Sequence, residues 1–215
     1  MKKILLVFGT RPEAIKMAPL VKEFNQFPNT FITKVCVTAQ HREMLDQVLG
    51  FFNIKTDYDL DLMKPGQNLY SLTATIIESL KPILEEFVPD YVFVHGDTTT
   101  TMASSIASFY AGAKVCHVEA GLRTNNKLSP FPEEINRQLT GRICDYHFAP
   151  TNTSKSNLLL ENVNKDSILV TGNTVIDALL NSVKKVNEKP SELINELSKK
   201  IGEKEVVLVT GHRRE

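Results

Sequence analysis

The sequence predicts an α/β protein built on a doubly wound, mostly parallel sheet with helices on both faces. Short apolar runs rich in β-forming residues alternate with stretches of helical apolar spacing along residues 1–170. Most of these runs end at a glycine or a polar residue, after which the next helix begins. Alternation of this kind joins parallel strands through right-handed crossovers.

Six or seven apolar runs precede residue 171, which is enough for one doubly wound domain; the number is six or seven because the run at residues 57–60 is short. They lie at residues 4–8, 31–38, 57–60, 91–94, 115–118, 146–149 and 168–170. The clearest helix spans residues 68–87, where eight apolar side chains share one face. Other helices are predicted to begin near Pro12, Arg42, Thr98, Glu133, Thr151 and Thr174.

The end of the chain differs in composition from the rest. Residues 184–204 are charged and poor in aromatic residues, as expected of a linker plus a helix, and residues 205–210 form a new apolar run. We therefore expect one domain over residues 1–170. Residues 171–215 would supply linker helices and the first strand of a second domain that the chain does not contain.

Composition excludes several classes of function. The 215 residues carry 25 Lys and Arg against 25 Asp and Glu, so nothing predicts a nucleic-acid partner. No apolar run approaches the roughly 20 residues that span a bilayer, and the first residues do not resemble a signal peptide. The three cysteines are scattered, without a CxxC pair. We expect a cytoplasmic protein that does not engage membranes.

Two carboxylates follow neighbouring strands of the predicted sheet. Asp97 comes directly after the strand that ends near His95, and Glu119 comes directly after the next one. Because the carboxyl ends of parallel strands line one crevice, both should face it and could perform acid–base chemistry. Asp97 could instead cap the next helix. Glu119 is neither a natural cap nor a turn former.

A strand, a Gly with a neighbouring Thr, and then polar residues recur at Gly9, Gly172 and Gly211. Such turns can hold an anion at a helix N-terminus, and several basic residues lie close by in the sequence. They are Arg11, Lys16, His212, Arg213 and Arg214. A diphosphate site and ordinary βα turns with surface cations explain this pattern equally well.

No cofactor or metal is expected. The sequence has neither GxGxxG nor GxxxxGK[ST], and its His, Asp and Glu residues show no metal-ligand spacing. Glu133 and Glu134 could simply be first-turn acids of a helix. His95 and His117, at strand ends, could be hydrogen-bonded core or rim residues.

Seven motifs together resemble the bacterial non-hydrolysing UDP-N-acetylglucosamine 2-epimerases. They are VFGTRPEAIKMAPLV, VCVTAQHREMLDQVL, VHGDTTTT, HVEAGLRT, SPFPEEINRQLTG, LVTGNTVIDALL and LVTGHRRE. The resemblance covers the chain from Met1 to Glu215. It implies the first, Rossmann-like half of a glycosyltransferase-B type fold and the start of a second, nucleotide-binding half.

The resemblance also implies the reaction and its residues. UDP would be eliminated from UDP-N-acetylglucosamine and added back with the opposite configuration at C2, giving UDP-N-acetylmannosamine for cell-surface polysaccharides. The implied catalytic residues are Asp97, Glu119, Glu133 and His212. The expected substrate-binding residues are Arg11, Lys16, Arg137 and Arg213. The sequence does not assign the carboxylate that removes the proton or the one that returns it.

Other interpretations stay open at this point. A hydrolysing epimerase would release UDP and the free sugar. A glycosyltransferase of the same fold fits the carboxylates less well, and a non-catalytic sugar-nucleotide-binding module would need no turnover. We expect the truncated chain to be inactive alone and to form a homodimer through helix 68–87. Residues 40–43 lie where a regulatory substrate site could form.

Overall fold

The computed structural model describes residues 1–39, 42–62 and 66–209. Within these residues, seven strands form one sheet in which all neighbouring strands run parallel. The strands are β1 Lys2–Phe8, β2 Phe31–Val37, β3 Tyr58–Asp59, β4 Tyr91–His95, β5 Lys114–Val118, β6 Tyr146–Ala149 and β7 Ile168–Val170. The predicted doubly wound parallel sheet is confirmed.

The α-helices of the described residues follow the strands in turn. They are α1 Arg11–Asn25, α2 Arg42–Phe52, α3 Leu69–Phe87, α4 Thr99–Tyr110, α5 Glu133–Ile143, α6 Asn152–Leu160, α7 Val175–Glu188 and α8 Glu192–Ile201. The order across the sheet is β3-β2-β1-β4-β5-β6-β7. The winding direction reverses between β1 and β4, and this reversal opens a crevice at the carboxyl ends of the central strands.

The core lies on both faces of the sheet, as the continuous apolar sequence of β1 requires. Ile4, Leu6 and Phe8 face a cluster that contains α1 and α2. Leu5 and Val7 point the other way, into a cluster that contains α3 and α4. Because successive side chains of a strand alternate between faces, β1 fixes both layers of helices at once.

Helix α4 buries a face of Ser, Thr and Ala rather than its large apolar side chains. Phe109 and Tyr110 are 62% and 75% exposed, although they share a helical stripe with Met102 and Ile106. The small buried side chains let α4 pack closely against α3 and α5. The hydroxyl of Ser105 and that of Ser108 donate to backbone carbonyls one turn earlier, which satisfies them inside the core.

The chain divides into two compact units, Met1–Ala178 and Leu179–Glu215. The first unit contains the whole sheet. The second contains α8, whose N-cap Ser191 accepts a hydrogen bond from the Ile194 N–H. The strand predicted at residues 205–210 is wrong over residues 205–209, which form no regular secondary structure and are exposed. A strand needs a neighbour for its backbone groups, and no described strand pairs with this run.

None of the described helices combines the length and the apolar character needed to cross a membrane.

Candidate functional site

The turn after β1 is shaped by Gly9 and closed by a capping box. A Cβ atom on Gly9 would lie 2.0 Å from Thr38 Oγ1, so a larger residue does not fit there. The Thr10 hydroxyl accepts a hydrogen bond from the Glu13 N–H at the start of α1. In return, Glu13 Oε2 accepts from the N–H groups of Gly9 and Thr10 at 3.0 and 2.8 Å.

The second oxygen of Glu13 ties this turn to the one after β4. Thr98 Oγ1 donates to Glu13 Oε1 at 2.7 Å, and Thr101 Oγ1 lies 3.2 Å from the same oxygen. Glu13 is 2% exposed, and burial raises the pKa of its carboxyl above the ordinary value despite these hydrogen bonds. Glu13 was not among the expected site residues, although the T-x-x-E spacing of Thr10 and Glu13 is the sequence signal of a capping box.

Asp97 follows β4, and its carboxylate is paired with Arg137 of α5. The Arg137 Nε and Nη2 atoms donate to Asp97 Oδ2 at 2.9 and 2.6 Å. The Asn136 side chain donates to the Asp97 carbonyl at 2.9 Å. The alternative role of Asp97 as a helix cap is wrong, because Thr98 caps α4. The structure thus joins two of the expected site residues.

The two adjacent acids that begin α5 have different environments. Glu134 is fully buried and accepts hydrogen bonds from the N–H groups of Thr124 and Asn125 and from Arg137. Burial opposes its ionised form, but its hydrogen bonds outweigh burial and lower the pKa of this carboxyl. Glu133 is half-buried, and its Oε2 has no hydrogen-bond partner among the described residues. Glu134 therefore holds the loop before α5 in place, whereas Glu133 has one carboxylate oxygen that makes no hydrogen bond to a described residue.

Glu119 follows β5 in a strained backbone conformation. Its φ angle is +66°, a region that non-glycine residues occupy at a cost on the order of 1–3 kcal/mol. Lys16 Nζ donates to the two carboxylate oxygens at 2.7 and 2.8 Å, and Asn173 Nδ2 donates to Oε1 at 2.6 Å. Asn173 was not among the expected site residues. The Gly172 turn after β7, which the sequence did indicate, places it there.

Two buried histidines lie next to Glu119 and to the backbone of Gly96. His95 Nε2 is 3.4 Å from Glu119 Oε2, and His117 Nε2 is 2.7 Å from the Gly96 carbonyl oxygen. Burial, helped by Lys16, lowers the pKa of His95 to about 3. Burial also lowers the pKa of His117 to about 3. Both imidazoles are therefore neutral at physiological pH.

The backbone that precedes Asp97 passes close to the Glu119 carboxylate. Gly96, which immediately precedes Asp97, lies beside Glu119: a Cβ atom built on it would be 3.7 Å from Glu119 Oε2. Each carboxylate has its own cation, Arg137 for Asp97 and Lys16 for Glu119. An arrangement of paired acids and cations can move a proton and balance developing negative charge.

The remaining expected site residues are not joined to this cluster by any described contact. Arg11 begins α1 and is exposed. His212 and Arg213 lie outside the described residues, as do Gly211, Gln40 and His41. Arg42, in the stretch considered for regulation, pairs with Asp59 and with Asp46. No set of three or more His, Cys, Asp or Glu side chains within the described ranges could hold a metal ion.

Comparison with known proteins gives consistent matches. A model of the UDP-N-acetylglucosamine 2-epimerase family matches residues 23–215. The UDP-N-acetylglucosamine 2-epimerase of Escherichia coli K12 is 59% identical over 216 residues, which are 99% of this chain and 57% of that protein. The chain thus spans little more than half the length of this curated relative.

Solved structures agree with the sequence matches. The epimerase from Neisseria meningitidis, crystallised with UDP-GlcNAc, superposes with a TM-score of 0.85 at 56% identity, over 94% of this chain and 52% of that one. The enzyme from Methanocaldococcus jannaschii, in complex with UDP-GlcNAc and UDP, gives 0.83 at 32% identity, over 93% and 54%. The chain has the first, Rossmann-like half of their glycosyltransferase-B type fold.

Proposed function

The chain belongs to the UDP-N-acetylglucosamine 2-epimerase family, and from this we propose that it supplies the acid–base half of an enzyme that interconverts UDP-N-acetylglucosamine and UDP-N-acetylmannosamine. The observation that carries the proposal is the pairing of Glu119 with Lys16 beside Asp97, at the carboxyl ends of β4 and β5. These groups meet at the crevice where open parallel sheets bind ligands.

The reaction begins with a proton that is not acidic. The C2–H bond breaks and a carboxylate takes the proton, while the electron pair forms the C1=C2 double bond and the C1–O bond to UDP breaks. Re-addition of UDP and of a proton on the other face inverts C2. Taking a proton from one face and returning one to the other favours more than one acid–base group. We assign these roles to Asp97, Glu119 and Glu133, without dividing them further.

The cations serve the leaving group. UDP gains negative charge as the C1–O bond breaks, so positive side chains near the diphosphate lower the barrier. We propose Arg11, Lys16, Arg137 and Arg213 for substrate binding and His212 as a further catalytic residue. The contacts of Lys16 and Arg137 support this assignment, because each side chain already pairs with a carboxylate of the site.

We propose residues 1–170 as the catalytic domain and residues 171–215 as linker helices and the start of the nucleotide-binding domain.

The setting of the reaction is also proposed. The product would supply N-acetylmannosamine units for cell-surface polysaccharides. Cys36, Cys116 and Cys144 are free thiols, which suits the reducing cytoplasm. No cofactor is proposed, because proton transfer with elimination and re-addition of UDP leaves no net oxidation to balance.

We further propose a homodimer built on α3 and α4. Tyr70 of α3 and Phe109 and Tyr110 of α4 expose large aromatic surfaces. Tyr70 lines an apolar groove together with Leu69, Met102 and Phe131, and Tyr110 lines a second cavity against α3. Exposed apolar surface of this kind marks protein interfaces. Light scattering at micromolar concentration should give twice the monomer mass for the wild type. The Tyr110→Ser variant should give a lower average mass. A wild type that is monomeric would contradict this proposal.

The activity is tested by following C2 in heavy water. Because the chain spans 57% of the Escherichia coli relative, we expect turnover only after the remaining part of that relative is joined to it. The completed protein should place deuterium at C2 of a UDP-sugar product. Release of free sugar and UDP would indicate the hydrolysing reaction instead, and turnover by the chain alone at the completed protein's rate would contradict a site shared between two halves.

The roles of the carboxylates are tested in the same protein. Asp97→Asn, Glu119→Gln and Glu133→Gln should each lower kcat far more than they raise KM, since groups that act mainly in the transition state give this pattern. Glu203→Gln, on an exposed side chain, is the matched control. Near-normal turnover by any one of the three variants removes that residue from the catalytic set.

A further inference from the structure

His95 differs from the other buried histidines of the sheet. His117 and His147 each engage a backbone carbonyl through Nε2, at 2.7 and 2.9 Å. His95 is 3% exposed, yet neither of its ring nitrogens has a hydrogen-bond partner among the described residues. Leaving a buried polar group unpaired costs about 1–3 kcal/mol, so its presence needs an explanation.

The imidazole of His95 faces one oxygen of Glu119. His95 Nε2 lies 3.4 Å from Glu119 Oε2, without hydrogen-bond geometry. An N–H donor aimed at a carboxylate would approach to about 2.7–2.9 Å. His95 Nε2 therefore makes no hydrogen bond to Glu119 in this structure, and an imidazole with its proton on Nδ1 would offer Nε2 to Glu119 as an acceptor.

The surroundings of His95 keep its imidazole neutral. The groups that face it are Lys16 from α1, Glu119 after β5 and His117 on β5. The Lys16 ammonium and the buried surroundings both oppose an imidazolium, so a proton that reaches Glu119 is not passed on to His95. It can, however, be shared in a hydrogen bond from the Glu119 O–H to the imidazole.

We propose that His95 is a positioning residue that accepts a hydrogen bond from Glu119 only when Glu119 is protonated. This inference rests on the proposed function, in which Glu119 carries a proton that it either takes from C2 or returns to it. When Glu119 takes the C2 proton, an O–H bond forms on Oε2, and that O–H donates to His95 Nε2. His95 itself gains and loses no proton. In that direction of the reaction the hydrogen bond strengthens as the proton arrives, so it favours the transition state over the ground state.

Nitrogen-15 NMR of the 215-residue chain tests this directly, whether or not the chain turns over substrate. His95→Gln assigns the resonances. At neutral pH, His95 should show a protonated Nδ1 and an unprotonated Nε2. A tautomer with the proton on Nε2 would overturn the proposal, since that nitrogen could not accept.

A variant of Glu119 provides the second arm. Glu119→Gln replaces the carboxylate with a neutral amide whose N–H can donate to His95, as a protonated carboxyl would. The His95 Nε2 resonance should move to the shift of a hydrogen-bonded acceptor, while those of His117 and His147 stay in place. Glu161→Gln, at a carboxylate paired with Arg123, is the matched control and should move none of them. An unchanged His95 in Glu119→Gln contradicts the proposal.

A kinetic arm separates positioning from packing in the completed protein. His95→Phe keeps an aromatic ring but loses the acceptor nitrogen. It should lower kcat about tenfold, because one hydrogen bond worth roughly 1.4 kcal/mol is lost in the transition state. KM should change by less than about twofold. His95→Gln should recover part of the loss, because its amide oxygen can accept. Equal rates for wild type and His95→Phe would overturn the proposal while leaving the proposed function intact.

Discussion

Lys16 and Glu119 form a two-pronged ion pair, in which Lys16 Nζ lies 2.7 Å from one carboxylate oxygen and 2.8 Å from the other. The two side chains are 23% and 12% exposed, so water screens the pair only partly. The pair links α1 to the end of β5 and holds Glu119, whose φ angle is +66°, in place.

The Lys16–Glu119 contact should appear as an energetic coupling. Lys16→Met and Glu119→Gln should each lower the free energy of unfolding by about 1–3 kcal/mol, because each leaves its partner unpaired. The double variant should lose less than the sum, by about 1–2 kcal/mol. Urea unfolding measures all three. The exposed pair Lys2–Asp90 is the control and should show a much weaker coupling, because solvent screens it. Additive losses at Lys16 and Glu119 would contradict the expectation.

Position 119 should be more stable with glycine than with alanine, because its φ angle is positive. Glu119→Gly and Glu119→Ala both remove the contacts to Lys16, His95 and Asn173, and they differ in the Cβ atom that is strained at φ +66°. The Gly variant should therefore be more stable than the Ala variant by about 1 kcal/mol, although glycine usually weakens a fold by its greater freedom in the unfolded chain. Thermal unfolding of the two variants decides the sign. A more stable Ala variant would show that the φ angle carries no strain.

Glu13 should give the fold a specific pH dependence. Its pKa in the folded chain is raised by burial, so the stability contributed by protonated Glu13 is complete below the ordinary pKa of 4.5 and is lost as the pH rises through the folded value. Glu13→Gln cannot ionise. Its free energy of unfolding, measured relative to the wild type, should therefore increase with pH across this window.

Glu134 provides a control of opposite sign for Glu13. Hydrogen bonds lower its pKa, so its contribution is present above the ordinary value and is lost as the pH falls through the folded one. The free energy of unfolding of Glu134→Gln, relative to the wild type, should decrease as the pH rises. A pH-independent difference for both variants would mean that neither carboxyl has a shifted pKa.

Gly121 should tolerate no side chain. Its φ angle is +85°, and a Cβ atom would lie 2.2 Å from the Ser154 carbonyl oxygen of α6, which is backbone and cannot turn away. Gly112 has a similar φ of +74° with open space around it. Gly112→Ala should cost about 1 kcal/mol, whereas Gly121→Ala should cost several, since it adds a clash to the same strain. Similar unfolding midpoints for the two variants would contradict the close approach of α6.

The strand–helix alternation follows from the sequence alone, because apolar periodicity is a local property. The strands at residues 146–149 and 168–170 appear where they were predicted, and α3 begins one residue after its Asn68 cap. The sequence also placed Asp97 and Glu119 at neighbouring strand ends. The apolar run at 205–209 has the composition of a strand but forms none, because no described strand lies beside it to pair with its backbone groups.

The contacts between distant groups depend on how the elements pack in three dimensions. Lys16 and Glu119 are 103 positions apart, and Glu13 lies 85 positions before Thr98, so no spacing along the chain predicts either contact. The structure likewise decided that α4 buries its small polar side chains and leaves Phe109 and Tyr110 exposed, because close packing against α3 and α5 favours small residues over apolar ones. Apolar periodicity shows which faces of a helix could be buried. The face that is buried depends on the shape and charge of the elements that pack against the helix.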